Sequence, residues 1–404
     1  MRASTLIATL VLLIAITNLY SYRVEADEKI NIWYANGVLN DVLSELAQQY
    51  TNQYPNISVK LVGLPYEELK TSMVRAVQKN VAPDIAILTS ENTAYSKILK
   101  LSALTSFENP RVFIEPSRKA SNQQQTVYGL PLQTNNRLLM FYNKALVNET
   151  ANNWEQLYTQ APDLIQNKIL PLGLVFNEPY WFTHFTTLFT TQLTNTNQAQ
   201  LNTLEMAASL AFYQQLEQAA IIRANCSYDC VSKEFYAGKV AYALNGVWAI
   251  TEASNALGEN FGITTLPSLD GTPMKALVYD NFLTFPNDAW NGPKRKSIRA
   301  LVGFLQSKYS QMQIANATKM LPINLEWLSE QNRSPFHSAQ IDLMHEVTYM
   351  PNTLRFVSIW NGIRKGVLLH SHANLSAQEA AEFMQYTAQI NQQGLESLGN
   401  KNYQ

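Results

Sequence analysis

Apolar positions in the first third of the chain alternate between two periods. Ile30 to Tyr34 is a short β-type run that ends at Asn36-Gly37, a turn signal. Val42, Leu43, Leu46, Ala47 and Tyr50 then recur at helical spacing. Ile57 to Val62 reads as a second strand. Leu69, Met73, Val74 and Val77 mark a second helix. Asp84 to Leu88 is a third strand, followed by the polar Ser90-Glu91-Asn92. A β-α-β-α-β order predicts a mostly parallel sheet covered on both faces. Ligands of such sheets sit beyond the carboxyl ends of the strands, which makes Asn36-Gly37 and Ser90-Glu91-Asn92 candidate pocket rims. Further strands are expected at Val127 to Leu132, Leu138 to Tyr142, Val240 to Leu244, Phe261 to Leu266 and Leu277 to Phe285. A long helix is expected from Leu201 to Ala220, and a mainly helical remainder from Lys294. No internal repeat and no Pro/Gly-rich linker divides the chain. Two domains would therefore be joined by more than one crossing.

The first 26 residues follow a different rule. Arg2 supplies a positive start, Leu6 to Ile16 an apolar run, and Val24-Glu25-Ala26 a small-residue site. That is a secretory leader pattern, too short for a comfortable membrane span; the alternative is an uncleaved anchor. No Cys follows the apolar run, so the expected mature protein starts near Asp27, carries no lipid and lies free in a periplasm. With 404 residues, 46% of them hydrophobic and 15% charged, the chain has a globular composition and length for two domains. A net charge of -1 without a basic stripe argues against a nucleic-acid partner. The short run Lys294-Arg295-Lys296 reads as a solvated helix start. Two cysteines, Cys226 and Cys230, flank a turn-forming Ser227-Tyr228-Asp229. In an oxidising compartment they are expected to form a local disulfide, with free thiols as the alternative.

Chemistry-bearing motifs are few. The five histidines, His184, His337, His345, His370 and His372, do not form a set of three or four metal ligands. Neither a glycine-rich phosphate loop nor a Gly-x-Ser-x-Gly elbow occurs. No cofactor, no metal and no catalytic residue is expected. What recurs is an aromatic ring beside a hydrogen-bonding group: Glu178 before Tyr180-Trp181, Asn245-Gly246 before Trp248, and Trp360 before Asn361. Sugars call for this combination. The C–H face of a pyranose stacks on a ring, and carboxylates or amides in its plane take the hydroxyl hydrogens.

Several segments, in order, resemble the extracellular solute-binding proteins of sugar ABC transporters, in particular those of the maltose/maltodextrin type. They are Ile30-Asn31-Ile32-Trp33-Tyr34-Ala35-Asn36-Gly37, Ala82-Pro83-Asp84-Ile85, Tyr128-Gly129-Leu130-Pro131 through Phe141-Tyr142-Asn143-Lys144, and Phe235-Tyr236-Ala237-Gly238-Lys239-Val240-Ala241-Tyr242 with Asn245-Gly246-Val247-Trp248. Asn177-Glu178-Pro179-Tyr180 and Met350-Pro351-Asn352 with Trp360 match sugar-contacting segments. The resemblance implies an α/β, two-lobe periplasmic-binding-protein fold with a hinge and an interlobe ligand cleft. It implies a first lobe from residues 27–134 and 279–325, a second from 135–278, and a C-terminal helical part, 326–404, mostly in the second lobe. Crossings are expected near Thr134 to Arg137, Val278 to Leu283 and Leu321 to Leu325. Glu178, Tyr180, Trp248 and Trp360 become the expected platform, with Asn136, Glu91, Asn36 and Asp280 around it. The first lobe departs from the family pattern. Val38-Leu39 stands in place of an Asp-Lys pair, Leu88 in place of a Trp, and Glu91-Asn92 in place of Asp-Arg. A carbohydrate ligand follows, but not maltose in particular. The implied protein is a non-enzymatic monomer that closes on an oligosaccharide and passes it to an inner-membrane permease. Receptors for glycerol phosphate or a polyamine, a signalling sensor, and a glycoside hydrolase using Glu178 are the alternatives.

Overall fold

The computed structural model describes residues 28–104, 122–123, 126–195, 198–344, 347–372 and 375–401. The leader at 1–26 lies outside the described residues, as do His345 and the side chain of His372. Strand β1 (Glu28–Ala35) is followed by helix α1 (Asn40–Gln53), β2 (Ile57–Leu64), α2 (Tyr66–Gln78) and β3 (Ile85–Thr89). β1 pairs with β2 and with β3, both parallel. Ile30, Ile32 and Tyr34 of β1 are buried on one face, as the period of two requires. The region expected as one strand at Val127 to Leu132 is split. Thr126–Val127 closes a small hairpin, and β4 (Leu130–Asn136) starts after Gly129.

The chain then builds a second sheet. β5 (Leu138–Asn143), β6 (Leu170–Gly173), β7 (Val240–Gly246) and β8 (Phe261–Thr264) lie in the order β8-β5-β7-β6. β7 runs parallel to β6, but β5 is antiparallel to both β7 and β8. This sheet is mixed, not mostly parallel. Leu138 and Met140 enter one hydrophobic core and Leu139 and Phe141 another, on opposite faces. Burial on both sides is why this strand reads as a continuous apolar run. Helices α3 (Trp154–Gln166), α4 (Pro179–Phe185), α5 (Leu204–Gln218), α6 (Tyr228–Tyr236) and α7 (Ile250–Leu257) accompany the sheet.

Strand β9 (Ala276–Thr284) leaves the second sheet's neighbourhood and returns to the first. It pairs antiparallel with β3 through Asn281–Thr284 and with β4 on its other side, and it pairs parallel with β10 (Val347–Tyr349). Its start, Ala276 and Leu277, belongs to the core around Trp154, Phe182 and Tyr242. Its end, Leu283, belongs to the core around Ile30, Tyr50 and Ile85. The chain changes core again between Leu132 and Leu138, and between Ile314 and Met320. The last change comes a few residues before the expected Leu321 to Leu325. Helices α8 (Arg295–Leu305) and α9 (Lys308–Thr318) serve the first lobe. After α10 (Pro335–Asp342), helices α11 (Leu354–His372) and α12 (Ala377–Lys401) pack on the second through Ile359, Ile363 and Met384. Gly362 and Gly366 permit that approach, since a Cβ on either would meet Met384 atoms within 2.5 Å. No described helix is long and apolar enough to cross a membrane.

Candidate ligand-binding cleft

Of the residues singled out in the sequence, Tyr180, Trp248 and Trp360 are brought together in one ring cluster. Tyr180, early in α4, is the centre of a ring cluster. Its ring lies 6.3 Å from Trp248, 6.3 Å from Trp360, 5.7 Å from Tyr279 and 5.8 Å from Trp181. Its hydroxyl donates to the Leu277 carbonyl at 3.0 Å, on the strand that links the cores. Tyr180 is only 8% exposed. Its ring is packed among those of Trp181, Trp248, Tyr279 and Trp360. Trp248 and Trp360 are half-buried and present ring surface.

Trp248 follows β7 in a short turn, Val247–Ala249. Its indole lies flat on Gly246: a Cβ there would stand 2.2–2.3 Å from three ring atoms. Glycine is required by that approach. Trp360 projects from α11 with Phe356 one turn before it, ring centroids 6.2 Å apart.

His184 braces this group. One ring nitrogen, Nδ1, donates to the Tyr180 carbonyl (2.7 Å), and Nε2 accepts from the Leu277 amide (3.1 Å). That pattern requires the neutral ring. Burial lowers its pKa to about 4, the bond to the Tyr180 carbonyl opposing. This histidine is therefore structural, joining α4 to β9.

The first lobe brings carboxylates. After β3 the chain turns through Ser90–Tyr95. Glu91 Oε1 accepts from the Thr89 hydroxyl and from Asn92 Nδ2, while Oε2 is buried with no hydrogen-bond partner among the described residues. Burial, and less strongly the charge of Asp280, push the Glu91 carboxyl up to about 7 against the pull of Thr89, its own backbone amide and Lys70. Asp280 is fully buried on β9, and its amide donates to Ser90 Oγ at 3.2 Å. Asn136 ends β4 opposite Tyr279. It is 5% exposed, with Oδ1 lacking a hydrogen-bond partner among the described residues.

Glu178 sits at the N-cap of α4 but makes no side-chain cap bond. Burial raises its carboxyl, the charge of Glu67 on α2 adds to that, and the Tyr180 amide and Arg364 oppose it. Glu178 and Glu67 therefore carry like charges near enough to interact. Asn352 Nδ2 donates to Thr93 Oγ1 at 3.4 Å, a hydrogen bond between the C-terminal segment and the turn after β3. Val38 packs against cores of both lobes. An apolar side chain stands there, where the sequence comparison expected a charged pair. Asn36 does not join the group. It is exposed, its side chain makes no hydrogen bond to these residues, and its Oδ1 lies over Gly63 of β2.

Three residues escaped the sequence reading. Tyr66 opens α2 beyond the end of β2 with 54% of its surface exposed; its hydroxyl end lies in a less solvated place than that exposure suggests, and desolvation there, with the charges of Glu91, Glu67 and Glu178, raises the hydroxyl against the Thr89 bond. Its position at a strand's carboxyl end was the available signal. Tyr279 emerges from β9 beside Tyr180. Arg137 sits fully buried at the first crossing and donates to the Leu343 and Gln340 carbonyls, which offset its desolvation. Cys226 is buried and disulfide-bonded, and Cys230 is the chain's one other cysteine. Among the described residues no group of His, Cys, Asp and Glu is arranged to hold a metal.

The half-buried indoles of Trp248 and Trp360 offer apolar faces, and Glu91 and Asn136 add buried oxygens that accept hydrogen bonds. Solved structures share this fold. The maltose/maltodextrin-binding domain MalE of Bdellovibrio bacteriovorus, bound to maltotriose, aligns with a TM-score of 0.83 at 22% identity, over 90% of this chain and 100% of its own. The GacH receptor of Streptomyces glaucescens, determined unliganded and with acarbose, aligns with a TM-score of 0.83 at 18% identity, over 90% of this chain and 98% of its own. The family model described as bacterial extracellular solute-binding protein matches residues 45–334, and the chain belongs to that family.

Proposed function

We propose that this protein captures an oligosaccharide between its lobes, in the periplasm, and delivers it to an inner-membrane ABC permease. The carrying observation is the ring cluster: Trp248 and Trp360, both half-buried, each lie 6.3 Å from the buried ring of Tyr180, and the charge of Glu91 on the first lobe acts on the Tyr180 hydroxyl. Stacked rings bind a pyranose face, and the carboxylates take its hydroxyl hydrogens. Contacts to both lobes favour the closed form by their differential energy. The lobes are taken as residues 27–134 with 279–325, and 135–278 with most of the C-terminal helical part, 326–404. The changes of core at Leu132 to Leu138 and Leu277 to Leu283 support the first two boundaries. Maltotriose and acarbose in the two similar structures point to α-linked glucose units as the first ligands to try.

An acidic cleft disfavours glycerol phosphate, since a phosphate seeks Arg or a helix N-terminus. A polyamine suits the acids but leaves the ring faces without a matching apolar surface. Hydrolysis is the second reading, favoured by one observation: Glu91 is pushed to about 7 with Asp280 acting on it, a pattern seen in acid catalysts. We infer binding without turnover, because stacking and closure need no reaction.

A thermal-shift screen decides the class. Maltose, maltotriose, longer maltodextrins, trehalose, sucrose, cello- and xylo-oligosaccharides, glycerol phosphate and putrescine are each tested on the protein from Asp27. A ligand at a hundred times its Kd adds about 2.7 kcal/mol to stability. A shift with one saccharide series is expected. A shift only with glycerol phosphate or putrescine would overturn the sugar reading, and chromatographic release of shorter saccharides would establish the enzyme reading instead.

A further inference from the structure

Trp248 is held from two sides. Beneath it lies Gly246, and at its edge Nε1 donates to the Tyr228 hydroxyl at 3.0 Å. A lone contact to glycine leaves an indole free to rotate about its side-chain bonds; the directional bond at Nε1 removes that freedom. Tyr228 is itself fixed. Its ring packs on Trp181 at 6.3 Å, and the Trp181 Nε1 is anchored on the Leu244 carbonyl at 2.7 Å. Ser232 and Asn245 bond near the same hydroxyl, and Asn245 Nδ2 reaches Ser232 Oγ at 3.4 Å. Tyr228 is also the first residue of α6, two positions after the disulfide-bonded Cys226 and two before the chain's other cysteine. The covalent loop therefore closes around Tyr228.

We propose that Tyr228 is a positioning residue that sets the plane of the Trp248 platform, and that the disulfide at Cys226 holds Tyr228 in register, so that ligand affinity depends on the oxidised state. The affinity half rests on the sugar-binding reading above; the positioning half does not. A loop this short adds little to global stability in the chain-entropy account. Its effect is local, on one hydroxyl that meets one indole. The hydroxyl is not assigned a contact with ligand.

The experiment is a double-mutant cycle with Y228F and W248F in the full mature protein, read by maltotriose titration calorimetry and by near-ultraviolet circular dichroism of the ligand-free form. Y228F keeps the ring and removes the acceptor. It is expected to weaken maltotriose binding about tenfold in the wild-type background and less than twofold in the W248F background. The spectra are compared at the long-wavelength tryptophan bands, beyond the absorption of tyrosine and of the disulfide, and there the ligand-free spectrum should change on Y228F mainly where Trp248 is present. Reduction with a phosphine should reproduce that spectral change in the wild type and add nothing to Y228F. An equal loss of affinity in both backgrounds would show that Tyr228 acts directly on ligand and would overturn the proposal. So would a Y228F spectrum identical to wild type. An unchanged spectrum on complete reduction would overturn the role of the disulfide. If the wild type binds no saccharide, the sugar reading fails while the spectra still decide whether Tyr228 positions Trp248.

Discussion

Replacing Glu91 by Gln gives a test whose sign and size both follow from the cleft. In the folded ligand-free protein the Glu91 carboxyl titrates at about 7, against 4.5 for an unperturbed one. A raised value means that the folded state holds its proton more tightly than the unfolded chain. The stabilisation from protonated Glu91 is fully present below pH 4.5 and is lost as pH rises through 7. Two and a half pH units at about 1.4 kcal/mol each make roughly 3 kcal/mol. Gln cannot titrate, so the difference in unfolding free energy, E91Q minus wild type, should grow by about 3 kcal/mol from pH 4 to pH 8. A constant cost of losing the carboxylate's bond to Thr89 cancels from this slope. Urea unfolding of the sugar-free proteins at five pH values measures it. A difference that stays flat within about 1 kcal/mol would refute the reasoning, because it would mean that Glu91 is solvated in the native state.

His184 predicts the opposite slope. Its folded value, about 4 against 6.5, makes a contribution that is present above pH 6.5 and is lost as pH falls through 4. E91Q should therefore unfold more readily with acid than wild type, where the two terms oppose each other; identical acid profiles would count against both. His184→Ala strands the Leu277 amide in the interior and should cost about 2 kcal/mol in urea unfolding, and no loss would mean that the brace carries nothing. Trp248→Ala or Trp360→Ala should weaken sugar binding by about 1–3 kcal/mol in calorimetry, through lost burial and stacking; wild-type affinity in both would show the platform to be misplaced. Gly246→Ala should push the indole off its seat, since the new Cβ falls 2.2–2.3 Å from the ring. A loss of affinity near that of Trp248→Ala is expected, and unchanged affinity would contradict the packing.

Period and local motif carried much of the architecture. The alternation of Ile30, Ile32 and Tyr34, and the helical spacing of Val42, Leu43, Leu46 and Tyr50, are local properties of the chain, and the elements formed where those patterns lie. The motif Asn245-Gly246 before Trp248 was visible in the sequence, but that the indole rests on Gly246 came only from the structure. Harder to read was anything that depends on which strand meets which. β9 looks in sequence like one extended run, yet its two ends feed two different cores and its middle supplies Asp280 and Tyr279. Its antiparallel pairing with β3 joins residues almost two hundred positions apart, for which no local period exists.

The candidate site divides in the same way. Aromatic and acidic residues in motif, Glu178, Tyr180, Trp248 and Trp360, were visible from their neighbours in the chain. Tertiary structure alone decided their surroundings. It gave the Tyr180 hydroxyl the Leu277 carbonyl, laid Asn36 over Gly63, and set Tyr279 beside Tyr180 and Tyr228 beside Trp248. It also set the ionisation of Glu91, which depends on how far water is excluded and on the nearness of Asp280. Residue type and spacing determine what a side chain is able to do. Desolvation and distance, which arise only when remote segments pack, determine what it does here.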